Sequence, residues 1–249
     1  MLPLRDYNPT RRFPILTVLL IVANVAIFGY QFTKSDAQSF SGPNALTELE
    51  SSQAGMVCQF AVVPDRVLDG QAPTDDPCLA LNRRQPRATS LVTHQFIHAS
   101  WLHLLGNMLF LWVFGNNIED RLGRLRFLPF YLLCGILAAL GQAFTDPTSA
   151  IPLIGASGAI SGLLGAYFVL FPKAKVLALV TIVPLKLPAW LVLVLYMAFQ
   201  FVYVGGQAQE GEGGVAYWAH IIGFAAGVVL LLPFLAGRRR TASTEQANT

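Results

Sequence analysis

Long apolar runs alternate with short polar ones along this chain. The first, Ile15–Phe32, reads ILTVLLIVANVAIFGYQF behind Arg11 and Arg12. Five more follow at about 98–116, 125–144, 154–171, 188–205 and 216–236. Each approaches the roughly 20 residues that a helix needs to cross a bilayer. A helix also satisfies its own backbone polar groups, as hydrocarbon requires. The fourth run is short at its outer end, as for a helix that begins inside the membrane. The pattern predicts an all-α polytopic membrane protein, a bundle of six transmembrane helices. A cleaved signal peptide is the other reading of Ile15–Phe32. The length of the run and the lack of a nearby A-x-A-like site count against it.

Six spans leave both termini on one side, and the charges agree. That side holds Arg5, Arg11, Arg12, Arg121, Arg124, Arg126, Lys173, Lys175, Lys186 and Arg238 to Arg240. The other holds Lys34, Arg66, Arg83, Arg84 and Arg87, all in one long loop, where charge orients weakly. Both termini are therefore expected in the cytoplasm. The expected organisation is a cytoplasmic segment 1–13, a membrane domain 14–236 and a cytoplasmic tail 237–249, polar and disordered after Arg240. The loop at about 33–97 is exoplasmic, and residues 174–187 skim the membrane surface. Cys58 and Cys78 share the exoplasmic loop, where a disulfide persists; two free thiols are the plain alternative. Cys134, in the third span, packs as a small apolar residue. Across the 249 residues, 54% are hydrophobic and 12% charged. Soluble domains carry about 25% charged residues. The net charge of +3 is too small to argue for a nucleic-acid partner.

Polar residues inside apolar runs are costly and therefore informative. The stretch HQFIHASWLHLLGNMLFLWVFGN carries His94, His98, His103 and Asn107. His103 and Asn107 are four apart and share one helix face. Helix-to-helix hydrogen bonding is the plain alternative for them, and structural hydrogen bonding near the membrane boundary is the expected role of His94 and His98. A metal reading of the histidines finds no acidic residue nearby and no H-E-x-x-H, so no metal and no cofactor is expected. The fourth run, IGASGAISGLLGAYFVLF, places small residues every four: Ser157, Ser161 and Gly165, then Gly158 and Gly162. The sixth answers with Ala219, Gly223 and Gly227 beside His220. Such grooves let backbones approach closely. Packing one on the other would bring Ser157 to His220.

The residue types suit acyl transfer. Serine becomes nucleophilic when a base takes its proton, and His220 can do so. Asn107, His103 and the amide of Ser157, at a helix start, can hold an oxyanion. Gly155 and Gly158 leave room for a substrate backbone. No buried Asp is at hand, so a Ser-His dyad is the simplest form. Ser161 lies one turn further on, where its hydroxyl can bond back to the carbonyl of Ser157.

These residues resemble a rhomboid intramembrane serine protease over roughly 87–236. The resemblance rests on three separated motifs: Gly155-Ala156-Ser157-Gly158; Ala219-His220 with Gly223 and Gly227; and His98, His103 and Asn107 in H-x4-H-x3-N. Glu119-Asp120-Arg121-Leu122-Gly123 resembles the family's cytoplasmic turn after the second helix. The resemblance implies Ser157 as nucleophile, His220 as base, and an oxyanion hole of His103, Asn107 and the Ser157 amide. It implies His98 in a supporting role and a water-filled cavity open to the exoplasmic side. The implied substrates are transmembrane segments of other proteins in the bilayer, and the implied location a bacterial inner membrane. Well-studied members carry a tyrosine four residues after the nucleophile, stacked on the histidine. Here that position is Ser161, so another contact, from Trp218 or a helix backbone, is expected to orient His220. The alternatives are a non-catalytic relative that binds membrane proteins and a transporter or channel. Retention of both Ser157 and His220 weighs against the first, and the lack of intramembrane acidic residues against the second. Oligomeric state is not legible in the sequence.

Overall fold

The computed structural model describes residues 2–33, 52–68, 87–147, 149, 151–205 and 216–246. Strand β1 (Leu2–Asp6) leads into helix α1 (Ile15–Thr33). Short helices α2 (Ser52–Phe60) and α3 (Pro64–Leu68) lie in the long first loop. Helix α4 (Arg87–Thr93) runs into a 3-10 turn, His94–Phe96. Then come α5 (Trp101–Phe110), a π turn (Leu111–Gly115), α6 (Asn116–Leu122) and α7 (Arg124–Thr145). Helix α8 (Ser157–Leu170), strands β2 (Lys175–Val180) and β3 (Val183–Pro188), and helices α9 (Ala189–Gly205) and α10 (Tyr217–Gln246) complete the order.

Each of the six apolar runs carries a helix, and the chain is mostly helical. Among the described residues, three helices are long and apolar enough to cross a membrane: Ile15–Thr33, Arg124–Thr145 and Tyr217–Ala236. The pair Ala88–Phe96 and Trp101–Leu122, bent by 92°, raises the number to four at most. Helices α8 and α9 are apolar but shorter. Length and apolarity thus support three to four spans, fewer than the six expected. The outward faces are apolar: Leu19 and Val22 on α1, Phe199 and Val202 on α9, and Val229 and Leu232 on α10 are exposed. A soluble domain rarely shows so continuous an apolar exterior, whereas lipid accepts one. The protein is an integral membrane protein.

The all-α expectation fails at the end of α8 remote from Ser157. There β1, β2 and β3 form an antiparallel sheet in that order. Residues 174–187, expected to skim the bilayer, make the β2–β3 hairpin, with Lys175 opposite Pro188 and Val180 opposite Val183. The reason is a period of two: Val176 and Ala178 face the core while their neighbours face out. Leu2 pairs with Leu179 and Asp6 with Val176, so the N-terminal segment is tied to the core. Helix α10 also continues to Gln246, past Arg240, where disorder is expected from the polar sequence. Extending a formed helix costs far less than starting one.

Two polar knots secure this end. Glu119, buried on α6, accepts hydrogen bonds from the Leu16 and Thr17 amides and the Thr17 hydroxyl at 2.8–3.0 Å. It thereby satisfies the free N–H groups that start α1, and its charge suits the helix dipole there. Gly123, at φ +79°, ends α6 in a conformation that side chains resist. Asp6 accepts from Asn117 Nδ2 at 2.5 Å and from the Tyr167 hydroxyl at 2.8 Å, and Asn8 Nδ2 donates to Asn117 Oδ1. Phe114, Phe127, Phe130, Leu163 and Leu164 fill the core between α5–α6, α7 and α8.

Candidate active site

The site is set by a seam of backbones. On α8 and α10, a Cβ added at Gly223 would strike the Gly158 carbonyl, and one at Gly227 the Gly162 carbonyl. One at Gly165 would strike the Phe224 carbonyl. The four-residue spacing of small residues is therefore needed for this contact. Gly158 also lies against Ala138 of α7 and faces the carbonyl of Ala219. The first turn of α8, starting at Ser157, thus meets the first turn of α10, which holds His220. Gln142 of α7 accepts a hydrogen bond from the Ala219 amide at 3.0 Å and so satisfies one free N–H at the start of α10.

The loop before Ser157 is braced on two sides. Val62 and Leu153 exchange two backbone hydrogen bonds, and the Gly155 amide donates to the His94 carbonyl at 2.9 Å. Gly155 has φ +111°, and a Cβ there would sit 2.7 Å from His103 Nε2 and 3.6 Å from Asn107 Nδ2. Only glycine meets both demands. The backbone just before Ser157 therefore passes directly by the two side-chain donors of α5. Asn107 Nδ2 is buried and has no hydrogen-bond partner. A buried donor left unpaired is rare and costly, and calls for an account. Ser100 Oγ accepts from the His103 amide and caps α5.

His98 is fully buried with both ring nitrogens unpaired, and its ring meets His103 edge-on at 5.0 Å. Gln31 of α1 holds its backbone, donating to the His98 carbonyl at 2.7 Å. His94 Nδ1 contacts the Ser90 carbonyl at 2.9 Å, the structural role expected of it. His94 and His98 do not share a helix with His103, because the chain turns by 92° between Phe96 and Trp101. Among the described residues no cluster of three or more metal-ligating side chains occurs.

Two sequence expectations around His220 are corrected. Ser161 does not bond back to Ser157: its hydroxyl meets the Tyr196 hydroxyl of α9 at 2.8 Å. Tyr196 is half-buried, and its hydroxyl finds Ser161 of the neighbouring helix as partner. Nor does Trp218 hold His220. The Tyr196 ring lies 6.4 Å from the His220 ring, and Gln200 Oε1 hydrogen-bonds to His220 Nδ1 at 2.9 Å. Ser157 makes no hydrogen bond to His220 among the described residues. Such contacts are often open without substrate and tighten when it binds. Tyr196, Gln200, Gln142 and Gln31 escaped the sequence reading. A signal was present, since each is a polar side chain in an apolar run.

Cys58 is buried and disulfide-bonded, and Cys134 is a free, buried thiol. Cys78, the expected partner of Cys58, lies outside the described residues.

The Rhomboid domain model matches residues 85–237, more than half of the chain. Rhomboid protein 1, mitochondrial, of Saccharomyces cerevisiae is 33% identical over 144 residues, covering 56% of this chain and 40% of that protein. RHOMBOID-like protein 5 of Arabidopsis thaliana is 26% identical over 220 residues, covering 87% and 68%. Rhomboid protease GluP of Bacillus subtilis is 41% identical over 76 residues, covering 30% of this chain and 14% of its own length. The chain thus spans less than half of the yeast protein's length.

Proposed function

The chain belongs to the rhomboid family, and we propose that it is an active intramembrane serine endopeptidase working through Ser157 and His220. The observation that carries the reading is the α8–α10 seam. It sets the first turns of both helices together, and the loop that leads into α8 passes the unpaired Nδ2 of Asn107 at Gly155.

In this reading His220 Nε2 takes the proton of the Ser157 hydroxyl as its oxygen attacks the scissile carbonyl carbon. The tetrahedral oxyanion is held by Asn107 Nδ2, His103 Nε2 and the Ser157 amide. The C–N bond breaks as His220 returns the proton to the leaving amine. Water, deprotonated by the same ring, then hydrolyses the acyl-enzyme and frees the serine. Gly155 leaves room for substrate backbone beside His103 and Asn107, whereas Gly158, expected to do the same, is taken up by the packing of α8 on Ala138 and α10. No acidic third member takes part, and no metal or cofactor is required.

The substrates are transmembrane segments of other membrane proteins, cut near their exoplasmic ends. The site opens to the exoplasmic side of a six-helix bundle with both termini in the cytoplasm. The membrane is a bacterial inner membrane, and Cys58 bonds to Cys78 in the exoplasmic loop. The test is cleavage in membranes. Wild-type protein should generate products from tagged transmembrane substrates that the Ser157→Ala protein, equally expressed, does not. Identical product patterns would remove proteolysis and leave the non-catalytic, membrane-protein-binding reading.

A further inference from the structure

Gln200 is a buried amide on an otherwise apolar helix, and its oxygen meets one atom of functional weight, His220 Nδ1 at 2.9 Å. We infer that Gln200 is the positioning residue of His220: it fixes the ring's tautomer and orientation from α9. The inference rests on the protease reading above and extends it to a residue outside the dyad.

The argument is one of donors and acceptors. An amide oxygen only accepts, so a hydrogen bond to it requires the proton to be on Nδ1. A neutral imidazole carries one proton, so Nε2 is left with its lone pair. That nitrogen is the one the mechanism needs bare to receive the serine proton. A buried carboxylate does this work in many serine hydrolases. Here the neighbourhood is apolar, and a neutral amide avoids burying a charge. Tyr196 stands one turn before Gln200 on the same face, held by Ser161 of α8. Its ring lies beside the imidazole at 6.4 Å. Helix α9 thus holds one edge nitrogen of His220 by a hydrogen bond and sets the tilted Tyr196 ring nearby, while Gln142 holds the Ala219 amide next to it.

Two readouts test this, one of them independent of turnover. The chain has four histidines, so side-chain 15N spectra are tractable. In the purified full-length Ser157→Ala protein, His220, assigned by its loss in a His220→Ala variant, should appear as the Nδ1–H tautomer. Gln200→Leu should shift it to a mixed or Nε2–H form. A His220 that is Nε2–H with Gln200 intact, or unchanged by Gln200→Leu, overturns the inference and leaves the protease reading standing. The second readout is kinetic, on a transmembrane peptide in proteoliposomes. Gln200→Leu should lower kcat by roughly 10- to 100-fold, the scale of losing an orienting partner, with KM little changed. Gln200→Glu keeps the acceptor and should recover much of kcat. Its negative charge favours the imidazolium, so the acid limb of the pH–rate profile should move to higher pH. The other titratable rings near His220, Tyr196 and His103, are unaltered in both variants. A fall in KM-limited binding alone, or equal loss in Leu and Glu variants with an unmoved acid limb, contradicts positioning. A wild-type protein that cleaves nothing counts against the protease reading, and the tautomer measurement still decides the geometry.

Discussion

The two ends of the helical run Trp101–Leu122 treat polar groups in opposite ways. At the far end, Asn117 and Glu119 are buried and paired: Glu119 with three donors of α1, Asn117 with Asp6 and Asn8. At the near end, Asn107 Nδ2 is buried and unpaired, and so are both ring nitrogens of His98, which lies just before the run and faces His103. Both ends lie in a low-dielectric interior, where an unpaired polar group is costly. The paired end is explained by stability alone. The unpaired end costs stability and so is better explained by what it receives. The same contrast separates the two amides that flank α10: Gln142 closes a backbone gap, whereas Gln200 meets a titratable ring.

The largest expected effect breaks the comparison at the near end. Ser157→Ala and His220→Ala should each lower cleavage by at least about 10⁴-fold, and the double variant should be no worse, because the pair acts as a unit. Thermal melts of all three should match wild type. Additive losses in the double variant would separate the two residues.

At the far end the expectation is reversed. Glu119→Ala strands three donors of α1, so unfolding should become easier by about 3 kcal/mol, on the scale of losing a cap and leaving buried donors unpaired. Chemical denaturation in mild detergent reads this out. Asn107→Ala should leave stability unchanged or slightly raised, since it removes an unpaired group. It should lower kcat by about 10²-fold, the loss of one oxyanion donor. His103→Ala should do similar or lesser harm. If Glu119→Ala melts like wild type while Asn107→Ala unfolds, the division between the two ends is wrong.

Smaller effects sharpen the picture. Ser161→Ala should keep at least part of the activity, because it loses only the partner of the Tyr196 hydroxyl. Complete loss, measured as turnover per folded protein, would put Ser161 in the chemistry. Burial raises the Asp6 carboxyl above its usual range and outweighs the hydrogen bonds from Asn8, Tyr167 and the Tyr7 amide, which lower it. A raised folded-state value means that the charged form is disfavoured in the fold. The stability it contributes is therefore full at acid pH and declines as pH rises from the unfolded value through the folded one. Asp6→Asn should flatten that slope, by about 1 kcal/mol or less. An unaltered slope in stability measured against pH would assign it to another group.

Much of this was legible because lipid makes sequence patterns blunt. Each of the six apolar runs carries a helix, though only three to four are long enough to count as spans, and Gly158, Gly162, Gly223 and Gly227 mark the seam, since small residues every four positions have one common use. The β2–β3 hairpin was not legible. Its residues 174–187 are apolar enough for the membrane, and their period of two shows only once β1 pairs with them. Glu119 could be seen as part of a turn motif, but not as the cap of α1, a contact 103 residues apart in the chain. Gln200 was hidden for another reason. A lone glutamine in an apolar run announces a hydrogen bond, not the atom that receives it, and only the packing of α9 on α10 selects His220.

The central claim is that Ser157, and not Ser161, is the nucleophile activated by His220. Peptide mapping after labelling with a serine-directed fluorophosphonate tests it most directly. The account predicts a single labelled peptide modified at Ser157, with labelling lost in His220→Ala and retained in Ser161→Ala. A label on Ser161, or no label on folded wild-type protein, would contradict it.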